Sequence, residues 1–292
     1  SAELEAILEA NDIKNMYSEA VVAELKNSCA FLTISHGQED EPKVLISSFS
    51  ASTASAIWDG RKKRIKAGLT IVETDPDSGE PTWLNMYTDD AVFQIRKSLT
   101  GGWSVHIDEH DHGVPLMVPM VYRPSIDRPF GKSRISRAVM SITDSAVRAA
   151  LRAEVAAEFF TTPQRYLLGA EEDTFENPAD KWRAYLGAMF VATRDENDDA
   201  PSYGQLPQMT MQPHIDYMRS LAARFAGETN IPVSELGVIH DNPSSAEAIY
   251  AATESPALEA EALNDRNGRA MRMVGMLAMT GAQEKPLSEL TD

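Results

Sequence analysis

The period of the apolar positions changes along the chain, and each change marks an element. Residues 2 to 28 repeat at helical spacing with a break near Asn11 and Asp12, and Ile13, Met16, Tyr17, Ala20, Val21 and Leu25 share one face of the second segment. From Cys29 the runs become short and strand-like: CAFLTIS, KVLISSFSA, ASAIW, RIKAGLTIVE, TWLNMY, AVFQIRKS and WSVHIDE. Asp59-Gly60, DPDSGEP and Gly101-Gly102 supply turns between them. With the apolar strand GVPLMVPMVYRP, residues 29–130 are expected to form a mostly antiparallel β domain.

The chain is organised around the long segment on the C-terminal side of that strand. After a proline-rich turn, Ser133 can cap a long helix on which Ile135, Val139, Ile142, Val147, Leu151, Val155 and Phe159 are expected to form one continuous apolar stripe. Ala138, Ala146, Ala149, Ala150, Ala153, Ala156 and Ala157 flank it, and Arg134, Arg137, Arg148 and Arg152 lie along its polar side. At about 1.5 Å per residue a helix over 131–160 spans roughly 40 Å, and Thr161, Thr162 and Pro163 end it. Residues 161–210 read as an acidic insertion: short strands at Arg165–Leu168 and Ala188–Thr193, a small helix at Ala179–Tyr185, and the loops EEDTFENPAD and RDENDDAPS. A second helix over 211–227 carries Ile215, Met218, Leu221, Ala222 and Phe225 on one stripe before Gly227. Over 228–292 the expectation is a loop, a capping box at Ser244 and Glu247, a helix kinked at Pro256, and a Met-rich amphipathic tail. The fold class is α+β.

Charge narrows the functions open to such a chain. Against 27 basic residues stand 44 acidic ones, for a net charge of −17, so the surface as a whole does not grip phosphates as an ordinary DNA-binding module does. An acidic wall suits a conduit along which DNA slides, and serves equally to keep a surface soluble. No run of about eighteen apolar residues is present, and the opening SAELEAILEA is acidic where a signal peptide is basic and then apolar, which sets the expectation of a cytoplasmic chain without a membrane partner. A single cysteine, Cys29, excludes an internal disulfide and reads as a small buried hydrophobe.

Three stretches invite a chemical reading. Arg61, Lys62, Lys63, Arg64 and Lys66 form a basic cluster without the interleaved aromatics of a single-strand binder, so a solvated hairpin edge is the stronger reading. On a strand, His106, Asp108, His110 and His112 would share one face and could hold zinc for a metal-dependent hydrolase. The competing reading is a polar strand end whose other face, Trp103, Val105 and Ile107, is buried. Gly131-Lys132-Ser133 lacks the earlier glycine of a phosphate loop, position 126 being Ile. Nothing commits the chain to catalysis; no cofactor, metal or catalytic residue is expected.

The order of these elements carries a resemblance. GVPLMVPMVYRP, the turn PFGKS, the long Ala/Arg helix, the exit TTPQRYLLG, then YGQLPQMTMQPHIDYMRSLAARFAGETNIPVSELG and DNPSSAEAIYAAT resemble the portal, or head-to-tail connector, proteins of tailed double-stranded-DNA phages. The resemblance implies a β-rich wing (29–130) behind N-terminal helices (1–28), a first stem helix (131–160), a clip-like insertion (161–210), a second stem helix (211–227), and a channel loop with a tunnel helix and tail (228–292). Further sequence is expected on both sides.

It also implies a homo-oligomeric ring, dodecameric by the family pattern. The ring would sit at the capsid vertex of the virion after assembly in the host cytoplasm. Its partners would be double-stranded DNA in the channel, the terminase large subunit, head-completion or tail adaptors and the capsid protein. The residues this points to are His240, Asp241, Asn242, Pro243, Ser244 and Ser245 as the DNA-facing loop. Arg137, Arg148, Ala149, Arg152 and Ala153 would form the stem interface, and Glu171, Glu172, Asp173 and Trp182 the clip. A generic assembly scaffold is the remaining alternative.

Overall fold

The structure is a computed structural model that describes residues 2–37, 40–98, 101–160, 165–168, 202–205, 210–237, 246–283 and 285–289. The fold is mixed α and β, and the chain divides into two units, residues 1–136 with 246–292 and residues 137–245.

The first unit opens with helices α1 (Ala2–Ala10) and α2 (Ile13–Asn27). The break falls at Asn11 and Asp12, where Asp12 takes a left-handed conformation. Asn11 explains the position of the break: its Nδ2 donates to Ile7 O and to Val44 O at 2.9 Å, and its Oδ1 accepts from Ile46 N at 2.8 Å, so the corner is tied to the neighbouring sheet. Eight strands come next: β1 (Cys29–His36), β2 (Val44–Ser50), β3 (Ala54–Asp59), β4 (Arg64–Thr74), β5 (Pro81–Tyr87), β6 (Ala91–Ser98), β7 (Gly102–Glu109) and β8 (Met117–Val121). They form two antiparallel sheets, one ordered β2-β1-β8 and one a five-stranded meander, β3-β4-β5-β6-β7.

The alternation along β1 shows why it lies at the centre. Ala30, Leu32 and Ile34 face a cluster with Met16 and Ala20 of α2, Val118 and Met120 of β8, and Val274, Leu277 and Ala278 of the last long helix, α5 (Ala246–Gln283). Cys29 and Phe31 face the opposite way, into a second cluster with Ala54, Ile65, Tyr87 and Val92 of the five-stranded sheet. The small sheet is therefore covered on both faces, and six successive β1 residues are buried. Cys29 is one of them, and burial pushes its thiol above the ordinary value, as suits a packing role.

The proline-rich turn closes this unit. Gly131 has φ 70°, and a Cβ there would stand 2.0 Å from Tyr122 O, so Gly131-Lys132-Ser133 is a tight backbone crossing and not a phosphate cradle. Ser133 does not cap the long helix directly. Its Oγ donates to Lys26 O at 2.6 Å and accepts from Ile135 N at 2.9 Å, which fastens the end of α2 to the chain leaving the turn.

The second unit contains α3 (Arg137–Phe160), the antiparallel strands β9 (Arg165–Leu168) and β10 (Ser202–Gln205), α4 (Gln212–Thr229) and a 3-10 turn at Val233–Leu236. The expected strand at Arg165–Leu168 is present; β10, its partner, has no counterpart in the sequence reading. The expected strand at 188–193, the helix at 179–185 and the capping box at Ser244 lie outside the described residues. In the first unit α5 runs as one helix through Pro256, and among the described residues no helix is long and apolar enough to cross a membrane.

Candidate functional site

The long helix α3 buries a different face from the one its apolar pattern predicts. Ile142, Ala149 and Leu221 of α4 are buried together, with Ala146 and Phe225 packed around them. Val139 is also buried, but Met140, Val147, Leu151 and Val155 are half or more exposed, Leu151 at 62%. The expected stripe breaks at the five-residue step from Ile142 to Val147, which turns about 140° around a helix of roughly 100° per residue. The alanines therefore form the seam with α4, where their size lets two backbones approach, and the larger residues line the opposite face.

This changes the reading of the expected stem residues. Ala149 is covered by α4 within the subunit, and Ala153 is half-buried on the same side, so neither offers an open contact surface. Arg137, Arg148 and Arg152 are exposed. By helical position they flank the outward stripe on one side while Glu154 flanks it on the other, and Asp144 lies within it.

The four residues of the metal reading do not form one set. His106 Nε2 lies 3.0 Å from Asp108 Oδ1, and Asp108 Oδ2 accepts from Gln94 Nε2 at 2.8 Å, on an exposed strand. His110 and His112 lie beyond β7 and stack on each other, ring centroids 5.0 Å apart. Burial pulls both imidazoles below their ordinary value, and for His110 the neighbouring His112 adds to it, against the raising effect of nearby carboxylates such as Asp111. Among the described residues no group of three or more His, Cys, Asp or Glu is placed to hold a metal ion. The expectation that Trp103, Val105 and Ile107 face a core is also corrected: all three are about half exposed, because β7 is an edge strand with nothing laid on it.

The sequence profile of the family described as phage portal protein, SPP1 Gp6-like, matches residues 1–274. The chain belongs to this portal family. Portal proteins of Mycobacterium phage D29 and Mycobacterium phage L5 are 25% identical over 182 residues and 26% identical over 196 residues. These matches cover 62% and 66% of this chain and 37% and 40% of the relatives, so the chain aligns with well under half the length of those portal proteins. The family is a structural one, and the hydrolase reading finds no support in it. The expected channel loop, His240 to Ser245, and the expected clip residues Glu171, Glu172, Asp173 and Trp182 lie outside the described residues.

One feature the sequence reading missed is how α5 is held against the start of this portal chain. Tyr122 Oη donates to Glu259 Oε1, and Arg123 Nη2 donates to the same oxygen at 3.0 Å. About two turns further on, Asn267 Nδ2 donates to Glu24 Oε2 at 2.7 Å, with both residues fully buried. Burial is the main cause that lifts the Glu24 carboxyl above its ordinary value, against the lowering effects of Asn267 and the Arg266 charge. The signal was in the sequence: Glu24 stands four residues after Ala20 and eight after Met16, in line with the buried face of α2.

Proposed function

We propose that the chain is a subunit of a ring, dodecameric by the family pattern, at the capsid vertex of a tailed phage, through which double-stranded DNA is packaged and ejected. Membership of the portal family over residues 1–274 carries this reading. The outward stripe of α3 supports it, since a helix whose alanines already face α4 has large apolar residues left for a neighbour. In the ring, Met140, Val147, Leu151 and Val155 contact the adjacent subunit, with Arg137, Arg148 and Arg152 on the basic flank.

His240, Asp241, Asn242, Pro243, Ser244 and Ser245 form the loop facing the channel. With no Lys or Arg in it, its contact with DNA is weak and steric instead of a phosphate clamp. Glu171, Glu172, Asp173 and Trp182 belong to the clip that meets the terminase large subunit during packaging and head-completion or tail adaptors afterwards, while the wing meets capsid protein. The subunit is not an enzyme; ATP hydrolysis belongs to the packaging motor. Assembly takes place in the host cytoplasm and the ring remains in the virion.

Negative-stain images and native mass of the full-length protein test the reading. An annulus with a central hole is expected, and a monomer at micromolar concentration overturns it. Deleting Asp241 to Pro243 is expected to leave rings intact and to impair packaging by a reconstituted motor; normal packaging removes the loop from the channel.

A further inference from the structure

Among the described residues the five-stranded sheet has two bare edges that differ in charge. β3 pairs only with β4, and β7 only with β6. Because every neighbouring pair is antiparallel, β3 and β7 run in the same direction. The hairpin after β3 and the residues after β7 therefore lie at the same end of the sheet, on opposite corners. The β3 corner carries Arg61 and Lys63, and the β7 corner carries Glu109; all three are exposed and, among the described residues, in no ion pair. Between the corners, Asp89 in the β5–β6 turn takes Arg64 at 3.0 Å and Lys62 at 4.0 Å. Acid and base already answer each other along this end of the sheet, and the acid of the β3 corner, Asp59, is held by the backbone N–H groups of Arg61 and Lys62.

The two edges also match in apolar surface. Ser55, Leu69, Met86, Phe93 and Ile107 form one lateral row of paired positions, so they share a face. Ile57, two residues from Ser55, is on that face, as are Val105 and Trp103, two and four residues before Ile107. Ile57 is 63% exposed at one edge and Val105 56% at the other. β7 offers eight residues without proline, lysine or a register shift, its charges confined to Asp108 and Glu109 at its end, while β3 has a register shift between Ile57 and Trp58.

We propose that β7 of one copy pairs with β3 of the next, head to tail, so that the sheet continues from subunit to subunit. The proposal rests on the ring reading and specifies a contact within it. The new pair is parallel because the two strands share a direction, and the apolar face continues across the join with Ile57 beside the Val105–Ile107 row. Arg61 and Lys63 of one copy then meet Glu109 of its neighbour. Since the contact uses two different edges, it is heterologous and adds copies in one sense, as a closed ring requires.

Two experiments on the full chain test it, the first in a Cys29→Ser background. Ile57→Cys combined with Val105→Cys, or with Ile107→Cys, is expected to give an oxidised ladder longer than a dimer, whereas each single cysteine stops at a dimer. Glu109→Lys and Lys63→Glu are each expected to weaken assembly about tenfold at low salt, and the double reversal to restore it to within about threefold. Rings in the parent with no ladder from either cysteine pair overturn the edge pairing and leave the ring reading standing. A parent that never forms rings overturns both. Two damaging charge reversals without mutual rescue show that another protein holds β7, and so overturn the second copy as its occupant.

Discussion

At the centre of the unit made of residues 1–136 and 246–292 lie Phe31, Leu32, Met120, Val274 and Leu277, all 2% exposed or less. In the unit of residues 137–245 the buried seam is Ile142, Ala149 and Leu221, while Met140, Val147, Leu151 and Val155 stay outside. The first unit fills its core with large apolar side chains, with a sheet covered by helices on one face and a second sheet on the other. The second has used its alanines and kept its larger residues on the surface. A helix pair of that kind gains little from closing on itself, because alanine removes little apolar area from water. Among the described residues nothing covers that outward face, which is the pattern expected of an element that gains stability on assembly.

Substitutions can break or sharpen this contrast. The largest effect is expected from Leu277→Ala, which empties a fully buried position between α5 and β1 and costs about 2–5 kcal/mol; chemical denaturation measures it, and a loss under about 1 kcal/mol would contradict a close-packed core there. Next comes Gly131→Ala, expected to lose about 1–3 kcal/mol because the new Cβ meets the Tyr122 carbonyl and φ is left-handed. Thermal unfolding of the variant that matches the parent would show that the crossing can relax.

A smaller, pH-dependent effect is expected from Glu24→Gln. The folded carboxyl titrates above its ordinary value, so Glu24's contribution to stability is fully present below that ordinary value and is lost as pH rises through the folded one. Glutamine keeps an acceptor for Asn267 but does not titrate. The variant should therefore match the parent in acid and become the more stable of the two as pH rises, and a constant difference from acid to neutral pH would rule out titration of Glu24 as the cause. The smallest effect on the isolated chain is expected from Leu151→Ser, within about 0.5 kcal/mol because the side chain is 62% exposed. Sedimentation of the same variant should nevertheless show weakened rings; unchanged assembly would remove the outward stripe from the interface.

Much of the architecture was legible in the chain because the relevant signals are local. Strand periodicity from Cys29 to Ser98 reports which residues alternate, and Asn11-Asp12 reports a break, because backbone sterics and neighbouring residues decide both. The same holds for the ordered elements that carry the family resemblance. Periodicity did not report which face of α3 would be covered. An apolar stripe and an alanine stripe each offer a seam, and the choice depends on the surface α4 presents at Leu221 and Phe225, about 70 residues away in the chain. The metal reading failed for a related reason: four residues in alternation share a face only while the strand lasts, and β7 ends at Glu109, before His110 and His112.

By itself, then, the sequence determined the order of helix and strand in the first unit, that Cys29 is a packing residue, and that the glycine-lysine-serine turn is no phosphate loop. Tertiary structure alone decided that α5 returns to cover β1, that Glu24 and Asn267 meet inside that contact, and that β7 is left as an edge. Those outcomes depend on pairs of residues far apart in the chain, such as Glu24 and Asn267, whose encounter is set by how whole elements pack and not by the spacing of either residue among its neighbours.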